Sequence, residues 1–312
     1  MTDERPLIID VKRHAIHDGP GIRTTVFFKG CPLNCLWCHN PEAISPDPEI
    51  GFYPDDCIAC GKCAKVCPNG AIQMDNPERI DRALCQRCGK CADACPGTGL
   101  RRIGKYYELD QLVELLLRDR TYYEVSGGGV TLSGGEPTFY MDYAGQLLRR
   151  LKEHGIHTTI QTAGCFDYAA FQSRILPFIS LILYDIKLMD PEKHRVYTGS
   201  GNRVILENFR RLIKDSPALI IPRIPLIPGI TATSENLQAI SDFLQGCGLT
   251  RCWLLPYNPL GLSKRKNIGK EPVELSTEWM SGEEKARCEG IFSWAELVNA
   301  ATAIPHIEIR ST

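Results

Sequence analysis

From residue 107 onward, two hydrophobic rhythms take turns along the chain. Runs at 129–133, 157–162, 180–187, 218–225 and 251–256, mostly rich in Ile, Leu and Val and at 157–162 in Thr, predict strands. Between them, residues 142–154, 167–175, 203–214 and 234–246 repeat apolar positions every three to four residues, as amphipathic helices do. Similar helical patterns cover 108–120 and 281–299. Near the N-terminus, Thr24-Thr-Val-Phe-Phe-Lys29 reads as one more strand, running into Gly30. Strands alternating with helices predict parallel β/α units. Six such strands are fewer than the eight of a closed barrel. The expected fold class is therefore α/β, a partial, TIM-like (β/α)6 barrel, with its site at the C-terminal strand ends.

The alternation is interrupted between residues 50 and 100 by short apolar stretches, many Gly and Pro, and eight cysteines. This predicts an inserted module at 50–100, with 1–49 and 101–312 forming the barrel domain. The remaining composition is that of an ordinary soluble protein, 43% hydrophobic and 23% charged. A formal net charge of −1 gives no bulk attraction to nucleic acid or to an acidic membrane surface. No apolar run approaches membrane-spanning length. The segment Met1 to Pro6 is short and polar, unlike a signal peptide. The expected setting is a reducing cytoplasm, with no nucleic-acid or membrane partner.

Cysteine is the abnormal component, with 15 residues, of which eleven lie in three tight groups between Cys31 and Cys95. Such clustering suits metal centres rather than a disulfide scaffold. Two groups form an internal repeat. Cys57, Cys60, Cys63 and Cys67 precede Pro68, and Cys85, Cys88, Cys91 and Cys95 precede Pro96, each member 28 residues after its counterpart. This C-x2-C-x2-C-x3-C-P spacing is that of two-cluster bacterial ferredoxins, where the fourth cysteine serves the other cluster. One 4Fe-4S cluster is expected on Cys57, Cys60, Cys63 and Cys95, the other on Cys85, Cys88, Cys91 and Cys67. The first group, Cys31, Cys35 and Cys38, offers three thiolates only. Either a distant cysteine (Cys165, Cys247, Cys252 or Cys288) completes a third 4Fe-4S cluster, or one iron is open for a substrate.

Cys31-Pro-Leu-Asn-Cys35-Leu-Trp-Cys38 resembles the signature of the radical S-adenosylmethionine superfamily. Asp18-Gly-Pro-Gly-Ile-Arg23, Phe27-Phe-Lys-Gly-Cys31 and Cys38-His39-Asn40-Pro41 resemble the glycyl-radical-enzyme activating enzymes, the pyruvate formate-lyase activase type. So do Ser133-Gly-Gly-Glu-Pro137, Tyr184-Asp-Ile-Lys-Leu-Met189 and Leu255-Pro-Tyr-Asn-Pro-Leu-Gly261, in the family's order along nearly the whole chain. The resemblance implies an oxidoreductase with three 4Fe-4S clusters and S-adenosyl-L-methionine as cofactors. It implies reductive cleavage of that cofactor to a 5′-deoxyadenosyl radical, which takes the α-hydrogen of a glycine in a partner glycyl radical enzyme. A flavodoxin- or ferredoxin-type protein is the implied electron donor.

It also implies roles for residues. Trp37, Cys38 and His39 would meet the nucleoside, Trp37 by stacking on adenine. Gly134, Gly135 and Glu136 would hold the methionine amino group. Asp185, Ile186 and Lys187 would meet the ribose and the methionine carboxylate, with Asp185 and Lys187 the expected catalytic pair. Arg223 is a further carboxylate partner. Asn258 stands where some activases carry a histidine. Gln161 replaces an acidic residue that lies near a monovalent cation in several relatives, so no metal ion is expected there. Asp18 and Arg23, which flank Gly19-Pro-Gly21, either grip the partner's loop or cap a turn. Two other readings are radical chemistry on a small molecule and a non-catalytic electron carrier.

Overall fold

The computed structural model describes residues 5–299. The chain opens with β1 (Leu7–Ala15) and β2 (Arg23–Phe28), then enters the insert through β3 (Glu49–Phe52), the one-turn helices α1 (Lys62–Val66) and α2 (Lys90–Asp93), and β4 (Leu100–Ile103). β5 (Lys105–Tyr106), α3 (Leu109–Leu117) and α4 (Arg120–Ser126) return it to the barrel. There follow β6 (Gly129–Gly134), α5 (Met141–Glu153), β7 (His157–Thr162), α6 (Tyr168–Arg174), β8 (Leu181–Asp185), α7 (Pro191–Thr198) and α8 (Arg203–Asp215). The series closes with β9 (Ile220–Leu226), α9 (Ser234–Gly246), β10 (Arg251–Pro256), α10 (Gly261–Asn267), α11 (Gly282–Ile291) and β11 (Glu296–Leu297).

Nine strands make one sheet in the order β11-β10-β9-β8-β7-β6-β2-β1-β5. The six expected strands run parallel to one another. β1 adds an antiparallel seventh on the outer edge of β2, kinked by register shifts between Ile8 and Asp10 and between Lys12 and Ala15. β1 and β10 are six strand spacings apart, roughly 29 Å if the sheet were flat. Yet Ile9 and Lys12 of β1 share one cavity of about 1040 Å³ with Trp253 and Leu255 of β10. The sheet therefore curls into an open barrel whose end strands do not join.

Strand periodicity sorts the side chains. Val26, Phe28, Val130, Leu132, Ile160, Ile182, Ile224 and Leu254 point outward and form the main core against the helices. Leu181, Leu183, Ile221 and Trp253 point inward as a smaller plug. The inner face of the other half is polar. Arg23 is fully buried there, donating to Thr131 Oγ1 at 2.6 Å, Pro20 O at 3.0 Å and Val130 O at 2.8 Å. Burial pushes its pKa down to about 9. Of the two readings of Arg23, this decides against gripping a partner's loop and for holding the turn. With no exposed surface, it fastens the Gly19-Pro20-Gly21 turn to the barrel floor. Asp18 is tied in as well, accepting from Thr25 Oγ1 at 2.8 Å and Gln161 Nε2 at 3.0 Å.

Two helical segments differ from the sequence pattern. The pattern at 108–120 breaks at Asp119, whose buried carboxylate accepts from Arg13 and Thr24 and so separates α3 from α4. The pattern at 281–299 stops at Ile291, and Glu296–Leu297 joins β10 as a short strand. Among the described residues, no helix is long and apolar enough to cross a membrane.

Candidate functional site

Directly after β2, the loop at 31–45 lies across the C-terminal ends of the parallel strands. Backbone bonds clamp it at several points: Gly30 N to Ala43 O at 2.7 Å, Cys31 N to Ile44 O at 2.9 Å, and Asn34 N to Thr198 O at 2.7 Å. Three lysines cap its carbonyls. Lys29 Nζ donates to Glu42 O, Lys264 Nζ to His39 O and Lys270 Nζ to Pro41 O, at 2.7, 3.0 and 2.9 Å. This lysine set has no sequence signature, because its members come from the residue after β2, from α10 and from the segment beyond.

A cavity of about 210 Å³ lies beneath the loop. Cys31, Cys35, Cys38, Trp37 and His39 line it from above, Gly134 and Gly135 from β6, and Asp185, Lys187 and Arg223 from β8, the residues beyond it, and β9. Leu33, Asn40 and Ile44 of the loop also line it, and the strand ends add Ser133, Gln161, Thr162 and Ala163. Of these four, Gln161 alone was singled out in the sequence. Ser133 Oγ donates to Gln161 Oε1 at 2.7 Å, so the amide joins this cavity to the larger one and to Asp18.

Three of the expected residues stand outside this lining. Glu136 is 1% exposed, and its carboxylate accepts from Thr138 N, Thr138 Oγ1, Thr162 Oγ1 and Ala163 N. It ties the end of β6 to the end of β7. Ile186 is buried in the helix-side core. Asn258 lines the larger cavity, its Oδ1 accepting from Leu260 N at 3.0 Å.

The two glycines have a steric cause. Gly134 has φ +104°, a region that favours glycine, and a Cβ there would sit 2.4 Å from Phe28 N. A Cβ on Gly135 would sit 2.2 Å from Gly30 O and 2.7 Å from Ala43 O. Backbone thus packs on backbone, with Gly135 N donating to Phe28 O and Glu136 N to Gly30 O, both at 2.8 Å.

Asp185 and Arg223 face each other in register on β8 and β9. Arg223 Nε and Nη2 both lie 2.7 Å from Asp185 Oδ1, while Lys187 Nζ lies 3.0 Å from Oδ2. Burial disfavours the Asp185 carboxylate, but Arg223 and Lys187 outweigh it and hold its pKa below the ordinary value. Burial likewise disfavours the Lys187 ammonium, and Asp185 then Cys35 raise it. Two cations against one carboxylate leave one positive charge facing the cavity.

Burial pushes the Cys35 thiol up to about 12 and raises Cys31 and Cys38 too. Bare thiolates are costly here, and a cationic iron centre would reverse that cost. Among the described residues, no three His, Cys, Asp or Glu side chains are placed to chelate a single ion. A 4Fe-4S cube is a different ligand, because its thiolates bind separate irons. None of Cys165, Cys247, Cys252 and Cys288 lines the cavity, and all fifteen cysteines are free of disulfides. Between residues 50 and 100, Cys57, Cys60, Cys63 and Cys95 share one cavity, while Cys67, Cys85, Cys88 and Cys91 share another.

Residues 17–206 match a family model described as a 4Fe-4S single cluster domain. The chain is 40% identical to a trans-4-hydroxy-L-proline dehydratase activating enzyme of Clostridioides difficile, over 85% of this chain and 89% of the relative. It is 40% identical to an isethionate sulfite-lyase activating enzyme of Desulfovibrio desulfuricans, over 86% and 88%. It is 36% identical to a choline trimethylamine-lyase activating enzyme of Oleidesulfovibrio alaskensis, over 88% and 91%. Relatives named for different partners thus resemble the chain to much the same degree. Its membership, shared by all of them, is in the glycyl-radical-enzyme activating enzymes of the radical S-adenosylmethionine superfamily.

Proposed function

We propose that the 210 Å³ cavity is where this activase holds its cluster and S-adenosylmethionine, with the residue roles given below. The observation that carries the reading is the convergence of three cysteines, Cys35 buried and Cys31 and Cys38 half-buried, with a two-cation, one-carboxylate group around one cavity. When bound, the cluster supplies the electron that splits S-adenosylmethionine into methionine and a 5′-deoxyadenosyl radical, which takes the α-hydrogen of a glycine in the partner enzyme.

Cys31, Cys35 and Cys38 would hold three irons of that cluster, leaving the fourth for the amino and carboxylate groups of the methionine moiety. The surplus positive charge of Lys187 and Arg223 over Asp185 attracts that carboxylate, and Asp185 keeps both cations aimed. The close backbone at Gly134 and Gly135 bounds the space for the amino group, while Glu136 supports that turn from behind. Trp37 offers a flat face to adenine, and Asn258 meets the nucleoside from the larger cavity. The loop, clamped by lysines and backbone bonds, orders these groups before binding, which lowers the entropic cost of alignment. The open barrel admits the partner's glycine-bearing segment.

Residues 50–100 form a ferredoxin-like insert with two further 4Fe-4S clusters, on Cys57, Cys60, Cys63 and Cys95, and on Cys67, Cys85, Cys88 and Cys91. The grouping of those sets in two cavities supports this. The barrel comprises 1–49 and 101–312, of which 1–4 and 300–312 lie outside the described residues. A flavodoxin- or ferredoxin-type protein supplies electrons in the cytoplasm.

The test uses a partner glycyl radical enzyme carrying α-deuterated glycine. The reading predicts deuterium in the 5′-deoxyadenosine product and a glycyl radical in the partner. Deuterium-free 5′-deoxyadenosine alongside a modified small molecule would contradict it.

A further inference from the structure

The two cysteine sets of the insert do not stand equally close to the cavity under the 31–45 loop. β3 and β4 form an antiparallel ribbon that leaves the barrel at Glu49 and Ile103 and reaches its tip at Phe52 and Leu100. At the base, the buried Lys29 ammonium bonds the Glu49 carboxylate. Ile50, one residue above the base, lines the cavity of Cys67, Cys85, Cys88 and Cys91. Phe52 and Leu100, at the tip, line the cavity of Cys57, Cys60, Cys63 and Cys95. Positions 50 and 52 share one face of the strand, roughly 7 Å apart.

A second observation gives the same order. Arg82, three residues before Cys85, donates through Nη1 to Ile50 O at 2.6 Å and through Nη2 to Asn267 O at 3.4 Å. Its guanidinium lies over Gly269, where a Cβ would stand 2.6 Å from Nε. Asn267 ends α10, and the helix begins at Gly261, pressed on the cysteine loop. A Cβ on Gly261 would meet His39 Cα at 2.6 Å and Cys38 O at 2.7 Å. A continuous packed path therefore runs from Cys85 through Arg82 and α10 to Cys38. At the tip, Cys60 is exposed beside Ile58, which is 65% exposed. Cys88 is exposed too, but its set is the one fastened to the barrel.

We infer that the two sets stand in series with the radical site: Cys67, Cys85, Cys88 and Cys91 proximal, and Cys57, Cys60, Cys63 and Cys95 distal, receiving electrons at the Cys60–Ile58 face. This order rests on the two-cluster reading of the insert. One electron leaves a low-potential one-electron carrier and one arrives at the cluster on Cys31, Cys35 and Cys38. Both intervening clusters return to their starting oxidation state, and no proton or group moves. Arg82 is a positioning residue that keeps the proximal set against α10.

The test is electron paramagnetic resonance of the anaerobically reduced holoenzyme, read on the component that changes when S-adenosylmethionine is added. A nearby reduced cluster broadens that component and speeds its relaxation, and the effect falls steeply with distance. Cys88→Ala, in the proximal set, is expected to abolish the broadening, while Cys60→Ala leaves it as in the wild type. An equal or larger effect of Cys60→Ala overturns the order. If iron analysis finds that either variant has lost both insert clusters, a second pair that keeps every cysteine decides. Arg82→Gln is expected to weaken the broadening. Arg101→Gln, whose guanidinium pairs with Asp56 and lies over Tyr53 at the tip, is expected to leave it unchanged. Equal effects from that pair, or none from Arg82→Gln, overturn the order. A wild-type protein with four irons per chain instead of twelve contradicts the two-cluster reading itself, which is a different failure from a reversed order.

Discussion

Replacing Gly135 with alanine adds one methyl group at the narrowest point between β6 and the cysteine loop. The new Cβ would lie 2.2 Å from Gly30 O and 2.7 Å from Ala43 O, both shorter than the 3.0 Å below which real Cβ contacts essentially do not occur. Relief needs a shift of roughly 1 Å, and both obstacles are backbone. They are also engaged, since Gly30 O accepts from Glu136 N and Ala43 O from Gly30 N. The shift therefore passes into the cavity that Gly135 lines. Overpacking of this kind costs about 1–3 kcal/mol. Expressed in binding, that is roughly 5- to 150-fold weaker affinity for S-adenosylmethionine. Equilibrium binding to anaerobically reconstituted protein measures it, with iron content checked alongside. Gly155→Ala is the control. Gly155 has φ +72° and nothing within 4 Å of its added Cβ, so alanine there costs only backbone strain, about 1–2 kcal/mol, with no change in affinity. Wild-type affinity and iron content in Gly135→Ala, or an equal loss in Gly155→Ala, would refute the reasoning.

Asp185→Asn leaves the Arg223 and Lys187 side chains, 10% and 9% exposed, without their anion. The expected loss of stability is about 3–5 kcal/mol, seen as a lowered melting temperature and partly recovered by adding Arg223→Gln. An unchanged melting temperature would show that the pair is not energetically coupled. His157 lies on the barrel floor beside Arg23, where burial first and then the guanidinium push its pKa down to about 4. It is neutral in the fold, whereas the unfolded chain takes up its proton near pH 6.5. Its contribution is therefore complete above about 6.5 and is lost as pH falls toward 4, by up to roughly 3 kcal/mol. His157→Gln should flatten the pH dependence of the melting temperature between about pH 7 and 5. A slope identical to wild type would contradict this assignment.

The parallel strands were legible because they are buried on both sides and rich in aliphatic and β-branched residues; β7 and β10 match the sequence expectation at both ends. β1 was not legible. Its alternation is broken by register shifts, and Lys12, Arg13 and His14 expose polar side chains along its second half. α7 was hidden for a related reason, since among its residues only His194 and Thr198 are buried. At the site, the cysteines and the Asp185–Lys187 pair announced themselves by spacing. The support around them did not, because Lys264, Lys270 and Arg82 act through long-range backbone contacts that leave no local pattern. Arg23 is the instructive case. A charged residue in a glycine-rich stretch reads as a surface grip, but the polar inner wall of the barrel accepts its guanidinium whole.

The central claim is that Cys31, Cys35 and Cys38 hold a cluster with one iron open to S-adenosylmethionine. Electron paramagnetic resonance on anaerobically reduced protein, with S-adenosylmethionine labelled with 13C or 15N in its methionine moiety, tests it most directly. The account predicts a shifted spectrum on addition and resolved hyperfine coupling to the labelled amino and carboxylate groups, both lost in Cys35→Ala. A spectrum indifferent to S-adenosylmethionine, with no coupling to the label, would contradict it.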